Sequence, residues 1–83
     1  HLAAVYPNPA TDRLMASFTS TLDGEVQIQV REINGRVVLA EAREIPRGEN
    51  TIALEGLSLP NGIYFLQLFA GGPVQVAKFI VQK

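Results

Sequence analysis

The chain has 83 residues and a formal net charge of −1, which excludes the basic surface that binding to nucleic acid or to an anionic membrane requires. Hydrophobic residues make up 47% of the chain and charged residues 18%, so the composition is that of a globular domain and is too apolar for a disordered one. Cysteine is absent, which excludes disulfides and thiolate metal sites, and no apolar run is long enough to insert into a bilayer.

The first nine residues contain two prolines, Pro7 and Pro9, which fix φ and have no backbone N–H to donate to a sheet. Residues 1–9 are therefore expected to form either an edge strand or a linker that leads into the domain. The chain starts at His1 without an initiating methionine or a signal peptide. We expect residues 1–83 to be a single domain of a longer polypeptide.

Apolar and polar residues alternate with period two through most of the chain, which is typical of half-buried strands. The pattern predicts strands over 13–20, 25–32, 36–45, 51–54, 63–70 and 73–82. A helix over the Ala- and Glu-rich part of 36–45 is the weaker alternative, because a hairpin turn precedes it and Pro46 ends it. In the last strand the apolar positions change parity after Val76, so a β-bulge is expected near Ala77 or Lys78.

Turn signals separate these strands at short intervals. Asn34-Gly35 lies between two alternating runs and predicts a type I′ hairpin, in which both residues have positive φ. About seven short strands joined in this way indicate an all-β antiparallel sandwich, with a barrel of five or six strands as the alternative. The expected core contains Phe18, Ile28, Val30, Leu66 and Leu68.

The residue types that carry catalysis are poorly represented. The single histidine is His1, the two aspartates Asp12 and Asp23 lie in turns, and the glutamates fall at solvent-facing or turn positions. The sequence has neither a calcium-binding loop nor a glycine-rich phosphate loop between a strand and a helix. We therefore predict a non-catalytic domain without a cofactor or a metal site.

Two side chains have a structural and a functional interpretation. Tyr64 follows a corner at residues 57–62, and a tyrosine at this point of a sandwich can donate its hydroxyl to a backbone carbonyl a few residues upstream. Arg36 directly follows the hairpin turn. It is either a solvated turn residue or a planar handle for a carboxylate of a partner.

Five blocks of the sequence, taken in order, resemble the type A C-terminal sorting domain of the type IX secretion system. The blocks are "VYPNPATDRL", "GEVQIQVREINGRVV", "GENTIAL", "LPNGIYFLQL" and "KFIVQK". Each block alone is common in unrelated sandwiches, but their order and spacing within about eighty residues are specific. The resemblance extends from Val5 to Lys83.

The resemblance implies an immunoglobulin-like sandwich at the C-terminus of a protein that a Gram-negative bacterium exports. The attached cargo would pass through the periplasm, cross the outer membrane through the type IX translocon, and reach the cell surface or the medium. A sortase-like peptidase would then remove the domain and join the cargo to a surface lipopolysaccharide. Cleavage is expected near or upstream of "YPNP", which would be the stiff junction between the cargo and the domain.

The resemblance also marks individual positions in this sequence. Glu32 departs from the family pattern, which often has Asp or another turn-forming residue before the hairpin. Candidates for recognition are Asn34, Gly35 and Arg36 in the hairpin and Lys78 and Lys83 at the end of the chain. The other matching positions are Tyr6, Pro7, Asn8 and Pro9 in the junction, Gly48 and Asn50 in the following turn, and Leu59, Pro60, Gly62 and Tyr64 in the corner.

One alternative function belongs to a different class, an accessory sandwich for carbohydrate binding or adhesion. It predicts an aromatic platform or a metal loop, whereas the chain has no tryptophan, two tyrosines and four phenylalanines. A weak homodimer through an unpaired edge strand is also left open.

Overall fold

The computed structural model describes residues 2–83, so that His1, the single histidine, lies outside the described residues. The described chain contains seven strands and no helix, which confirms the all-β prediction. The strands are β1 (Leu2–Tyr6), β2 (Leu14–Ser20), β3 (Gly24–Glu32), β4 (Val37–Ile45), β5 (Gly48–Leu54), β6 (Gly62–Phe69) and β7 (Gln75–Val81).

The strands form two antiparallel sheets that pack face to face. One sheet has the order β1-β2-β5 and the other the order β4-β3-β6-β7. Pairing of the first, second and fifth strands, opposite a sheet built on the third, sixth and seventh, is the arrangement of immunoglobulin-like sandwiches. The predicted sandwich is therefore confirmed.

A single hydrophobic core fills the space between the two sheets. All five predicted core residues are buried: Phe18, Ile28, Val30, Leu66 and Leu68. The core forms because every second side chain of each strand points to the same face, so that the alternating pattern becomes one apolar layer per sheet. Strand β6 lies between β3 and β7, and its inward side chains Tyr64, Leu66 and Leu68 are all buried.

The predicted bulge near Ala77 or Lys78 is wrong. The register between β6 and β7 runs without a shift from the pair Leu68 and Gln75 to the pair Gly62 and Val81. The apparent change of parity arises because Val76 belongs to the outer face, where it is 57% exposed. A bulge occurs instead between β3 and β4, at Val30 and Arg31.

The hairpin between β3 and β4 is also not the predicted type I′ turn. Among the described residues, positive φ occurs at glycines only, and Gly35 has a φ of 91° whereas Asn34 does not lie in this region. The Glu32 N–H donates to the Arg36 carbonyl at 2.8 Å, and the Gly35 N–H donates to the Glu32 carbonyl at 2.9 Å. The loop therefore has three residues, with glycine at its last position, where the left-handed conformation is required.

Strand β1 lies at the edge of the three-stranded sheet and pairs with β2, with Tyr6 opposite Met15. The first residues thus contain an edge strand, one of the two structures that the prolines allow. The chain leaves β1 at Pro7 and crosses to the other sheet, where Ala10 forms a parallel bridge with Val81. This crossing brings the start of the domain next to its end.

Candidate functional site

Four of the five sequence blocks meet at one end of the sandwich. We call this region the motif end and define it as residues 8–12, 32–36, 57–62 and 80–83. It forms because β1, β3, β5 and β7 all finish there, while β2, β4 and β6 begin there. Segments that are as much as 72 positions apart in sequence thereby become neighbours.

The junction segment is hydrogen-bonded to the last strand. The Ile80 N–H donates to Oδ1 of Asn8 at 3.0 Å, and the Ile80 carbonyl accepts from the Ala10 N–H at 2.7 Å. The Gln82 N–H then donates to the Ala10 carbonyl at 2.9 Å. Asn8 is thus the residue of "YPNP" that contacts the C-terminal block, while both of its prolines are exposed and follow cis peptide bonds.

The corner holds the C-terminus from the other side. The Lys83 N–H donates to Oδ1 of Asn61 at 2.9 Å. The Leu57 N–H donates to the Asp12 carbonyl at 2.7 Å, which connects the same corner to the segment after the junction. The junction, the corner and the C-terminus are therefore joined by hydrogen bonds as well as by proximity.

Tyr64 adopts the predicted structural role. Its hydroxyl donates to the Pro60 carbonyl at 2.7 Å, four residues upstream. The ring is 4% exposed and stacks on Phe79, with ring centroids 5.7 Å apart. Leu59 is also buried, and Gly62 lies next to the tyrosine ring. The four corner positions therefore form one packed unit that anchors the start of β6.

Arg36 lies at the hairpin with its guanidinium on a carboxylate of its own chain. Its Nε and one terminal nitrogen donate to the two carboxylate oxygens of Glu32, at 2.8 and 3.1 Å. The arginine side chain is 70% exposed, so this ion pair contributes little to stability. Glu32, the departure from the family pattern, is thus the residue that orients Arg36.

The rest of the hairpin is held by local contacts. Oδ1 of Asn34 accepts from the Arg36 N–H at 3.0 Å, the self-bonding typical of turn asparagines. Arg31 donates to the Gly35 carbonyl at 2.9 Å and also to Gln29 and Gln67. A shallow groove separates this hairpin from Pro60 of the corner. The tip is therefore exposed and is held by hydrogen bonds within the hairpin.

The two lysines of the last block are both exposed. Lys83 belongs to the motif end, where Asn61 fixes its backbone. Lys78 lies on the outer face of β7, opposite Phe65 of β6. Neither ammonium group forms an ion pair with any residue of the range 2–83.

Gly48 and Asn50 are not part of this site. They lie at the opposite end of the sandwich, where Gly48 pairs with Ser20. The amide of Asn50 donates to the carbonyls of Pro46 and Gly48, at 2.9 and 3.1 Å. Asp23 accepts from the Arg47 N–H at 2.6 Å and so bridges two turns of that end, rather than bonding its own segment as the turn pattern predicts.

Sequence reasoning missed two residues of the motif end and one residue next to it. Asn61 is hidden in the corner pattern, and Ala10 has no polar side chain that could indicate a role. Arg31 looks like an ordinary outward residue of β3. Their roles depend on partners far along the chain, so that no local pattern could have revealed them.

Neither a metal site nor a membrane-spanning helix occurs in the part of the chain that the structure describes. No group of three or more acidic or histidine side chains there is arranged to hold a metal ion. Likewise, residues 2–83 include no helix suited to crossing a bilayer.

Comparison with known proteins gives one clear result. No curated protein matches the chain. The family model described as "Secretion system C-terminal sorting domain" matches residues 4–82, and nothing in the fold or in the comparisons supports the carbohydrate-binding or adhesive alternative. Domains of this family are generally non-catalytic. Their role implies contact with the secretion machinery and attachment to an upstream cargo. It also implies export to the cell surface or the medium of a Gram-negative bacterium. Because this match spans nearly all of the chain, from the junction through the last strand, the chain belongs to the C-terminal sorting domain family and is a secretion signal of the type IX system.

Proposed function

We propose that the motif end is the surface that the outer-membrane translocon of the type IX system reads, after the domain has folded in the periplasm. The observation that supports this is the convergence of the junction, hairpin, corner and C-terminal blocks on one end. If the motif residues had purely structural roles, they would be expected to lie in the core, as Leu66 and Leu68 do. Here the motif residues Asn8, Arg36 and Lys83 are all exposed.

The junction would connect this domain to its cargo. Residues up to Tyr6 are paired with β2 along the strand, and a peptidase needs an extended and accessible chain. We therefore place the bond cut by a sortase-like peptidase upstream of β1, so that the released domain keeps Asn8 on β7. Transfer of the cargo to a surface lipopolysaccharide would follow. The domain itself would contribute recognition and no catalysis.

The test is a fusion of residues 1–83 to a fluorescent protein that carries an N-terminal signal peptide. It is expressed in a host with an intact type IX system and in the same host without the translocon. We expect surface or medium fluorescence in the first host and periplasmic fluorescence in the second. Equal distribution in both hosts would overturn the proposal, provided that the fusion is intact and folded.

A charge-reversal pair separates the motif end from the opposite end of the sandwich. Arg36→Glu changes the hairpin, whereas Arg47→Glu changes an exposed arginine in the turn next to Gly48. Both changes alter the net charge equally. Loss of export with Arg36→Glu alone supports the motif end as the surface that is read, and equal loss with both variants contradicts it.

A further inference from the structure

The four strands at the sheet edges are not equally protected against pairing with another chain. On β4, the charged residues Glu41 and Arg43 occupy inner-face positions opposite Ile28 and Val26 and form an ion pair at 2.7 Å. Inward-pointing charge of this kind prevents a sheet from being extended. On β5, Asn50 takes the inner-face position opposite Phe18. β1 has five residues and is followed closely by two prolines.

Strand β7 lacks every one of these protections over its central part. Its inner-face residues from Ala77 to Val81 are apolar, it contains no proline, and its register with β6 is unbroken. The one charge on this stretch is the outward-pointing Lys78, so this edge is suited to an added strand that brings an acidic side chain beside it.

The direction of the backbone groups shows which part of this edge is open. Ile80 and Gln82 direct their N–H groups away from β6, because these groups bond to Asn8 and Ala10. In an antiparallel strand the N–H and C=O of alternate residues point to the same side. The N–H and C=O of Val76 and Lys78 therefore also point away from β6. No second strand is hydrogen-bonded to β7 to receive them, and β1 of the other sheet lies close to β7 without pairing with it.

The side chains beside these groups specify what would fit. Lys78 is exposed and has no ion-pair partner in residues 2–83, and Val76, two positions earlier on the same face, is 57% exposed. A strand laid along this edge would place one side chain next to each of them. An acidic residue next to Lys78 and an apolar residue next to Val76 would be favoured.

We propose that the open edge of β7 at Val76–Lys78 is a strand-addition site for an extended segment of a partner protein, with an acidic and an apolar side chain two residues apart. A second copy of this domain fits less well, since β7 contains no acidic residue to place beside Lys78. Assigning the partner to the secretion machinery rests on the proposed function, whereas the binding site itself does not.

The experiment titrates the isotopically labelled chain with the peptide acetyl-Thr-Val-Thr-Glu-Thr-Val-Thr-amide and follows amide chemical shifts. We expect shifts and slowed hydrogen exchange at Val76 and Lys78. Val76→Pro removes one outward N–H and leaves the bonds to β6 in place, so the peptide should bind about tenfold more weakly. Val76→Thr keeps the N–H and a β-branched side chain, and binding should stay within about twofold.

Two further arms do not depend on whether Val76→Pro folds. Lys78→Glu should weaken binding of the Glu peptide and strengthen binding of the same peptide with Lys in place of Glu. A peptide whose β7-facing amides are N-methylated should not bind the unmodified chain. Undiminished binding of that peptide, shifts confined to another edge, or self-association through β7 would each overturn the proposal.

The fluorescent fusion separates this proposal from the proposed function. Loss of both peptide binding and export in Lys78→Glu supports the edge as a contact with the machinery. Loss of peptide binding with normal export keeps the strand-addition site and overturns its use in export. If the unmodified fusion is not exported at all, the proposed function fails while the peptide result still stands.

Discussion

The Tyr64 hydroxyl holds the corner to the core through one hydrogen bond. Its donor lies on a 4% exposed residue and its acceptor is the Pro60 carbonyl, at 2.7 Å. The corner in turn carries Asn61, which bonds the backbone of Lys83. A single phenol thus influences the geometry of the C-terminus.

Replacing Tyr64 with Phe should destabilise the domain by about 1–3 kcal/mol, because the Pro60 carbonyl loses its partner in a part-buried setting. Urea unfolding of the purified domain measures this change. Tyr6→Phe is the matched control, since Tyr6 is 43% exposed and its hydroxyl lies 3.5 Å from Ser17, at the limit of a hydrogen bond. Equal midpoints for Tyr64→Phe and the unmodified domain would contradict the corner interpretation.

Lys83→Glu should reduce export and leave stability within about 0.5 kcal/mol, because the exposed side chain has no packing or ion pair to lose. The bond from its backbone N–H to Asn61 is kept in the variant. Thermal unfolding and the periplasmic fraction of the fluorescent fusion are measured together, with Lys83→Arg as the charge-conserving control. Normal export of a folded Lys83→Glu fusion would remove the last residue from the recognised surface.

At the level of elements, the junction and β7 behave as one unit. The segment at residues 8–10 covers the C-terminal part of the β7 edge and leaves the part at Val76 and Lys78 open. The short parallel bridge between Ala10 and Val81 therefore limits where another strand could be added. Asn8 thus holds the edge of β7 through its bond to the Ile80 N–H, a role that the sequence pattern around Asn8 does not suggest.

Asn8→Ala should cost about 0.5–1.5 kcal/mol and speed hydrogen exchange at the Ile80 amide, since that N–H loses its acceptor. Asn8→Asp retains a side-chain oxygen at the same position and should preserve the protection. Exchange measured residue by residue checks both variants. Unaltered protection of Ile80 in Asn8→Ala would show that the junction does not hold this edge.

At the level of the whole molecule, one core has to stabilise a chain of 83 residues. Domains of this size are marginally stable, with total free energies of unfolding of about 5–15 kcal/mol. The fully buried Phe79 belongs to the same last block as Lys83, so that the block serves both packing and recognition. For each variant in this block, stability must therefore be measured beside export, so that a loss of folding is distinguished from a loss of recognition.

Phe79→Ala should destabilise the domain by about 3–5 kcal/mol, because it removes a buried ring that also stacks on Tyr64. We expect export to fail together with folding. Ile80→Ala changes the neighbouring residue, which is 38% exposed on the outer face, and should cost considerably less. Denaturant midpoints of the two variants are compared. A midpoint for Phe79→Ala as high as that for Ile80→Ala would place the ring outside the stabilising core.

The strands, the core and the Tyr64 corner could be predicted from the amino-acid sequence. These features depend on residues near one another in the chain, since alternation with period two decides which side chains of a strand face inward. Ile28 and Val30 were therefore predictable from β3 alone. The order of the five blocks was likewise sufficient for the family, because a resemblance in order and spacing needs no three-dimensional information.

The details that depend on a distant partner became clear only from the fold. Val76 lies on the outer face because β7 pairs with β6 without a shift, and Asn34 avoids positive φ because the loop closes between Glu32 and Arg36. The contacts of Asn8 with Ile80 and of Asn61 with Lys83 join segments 72 and 22 positions apart. Hydrogen bonds of this range are fixed by strand pairing across the fold and not by the residues beside them, and so the motif end itself became visible only in the folded molecule.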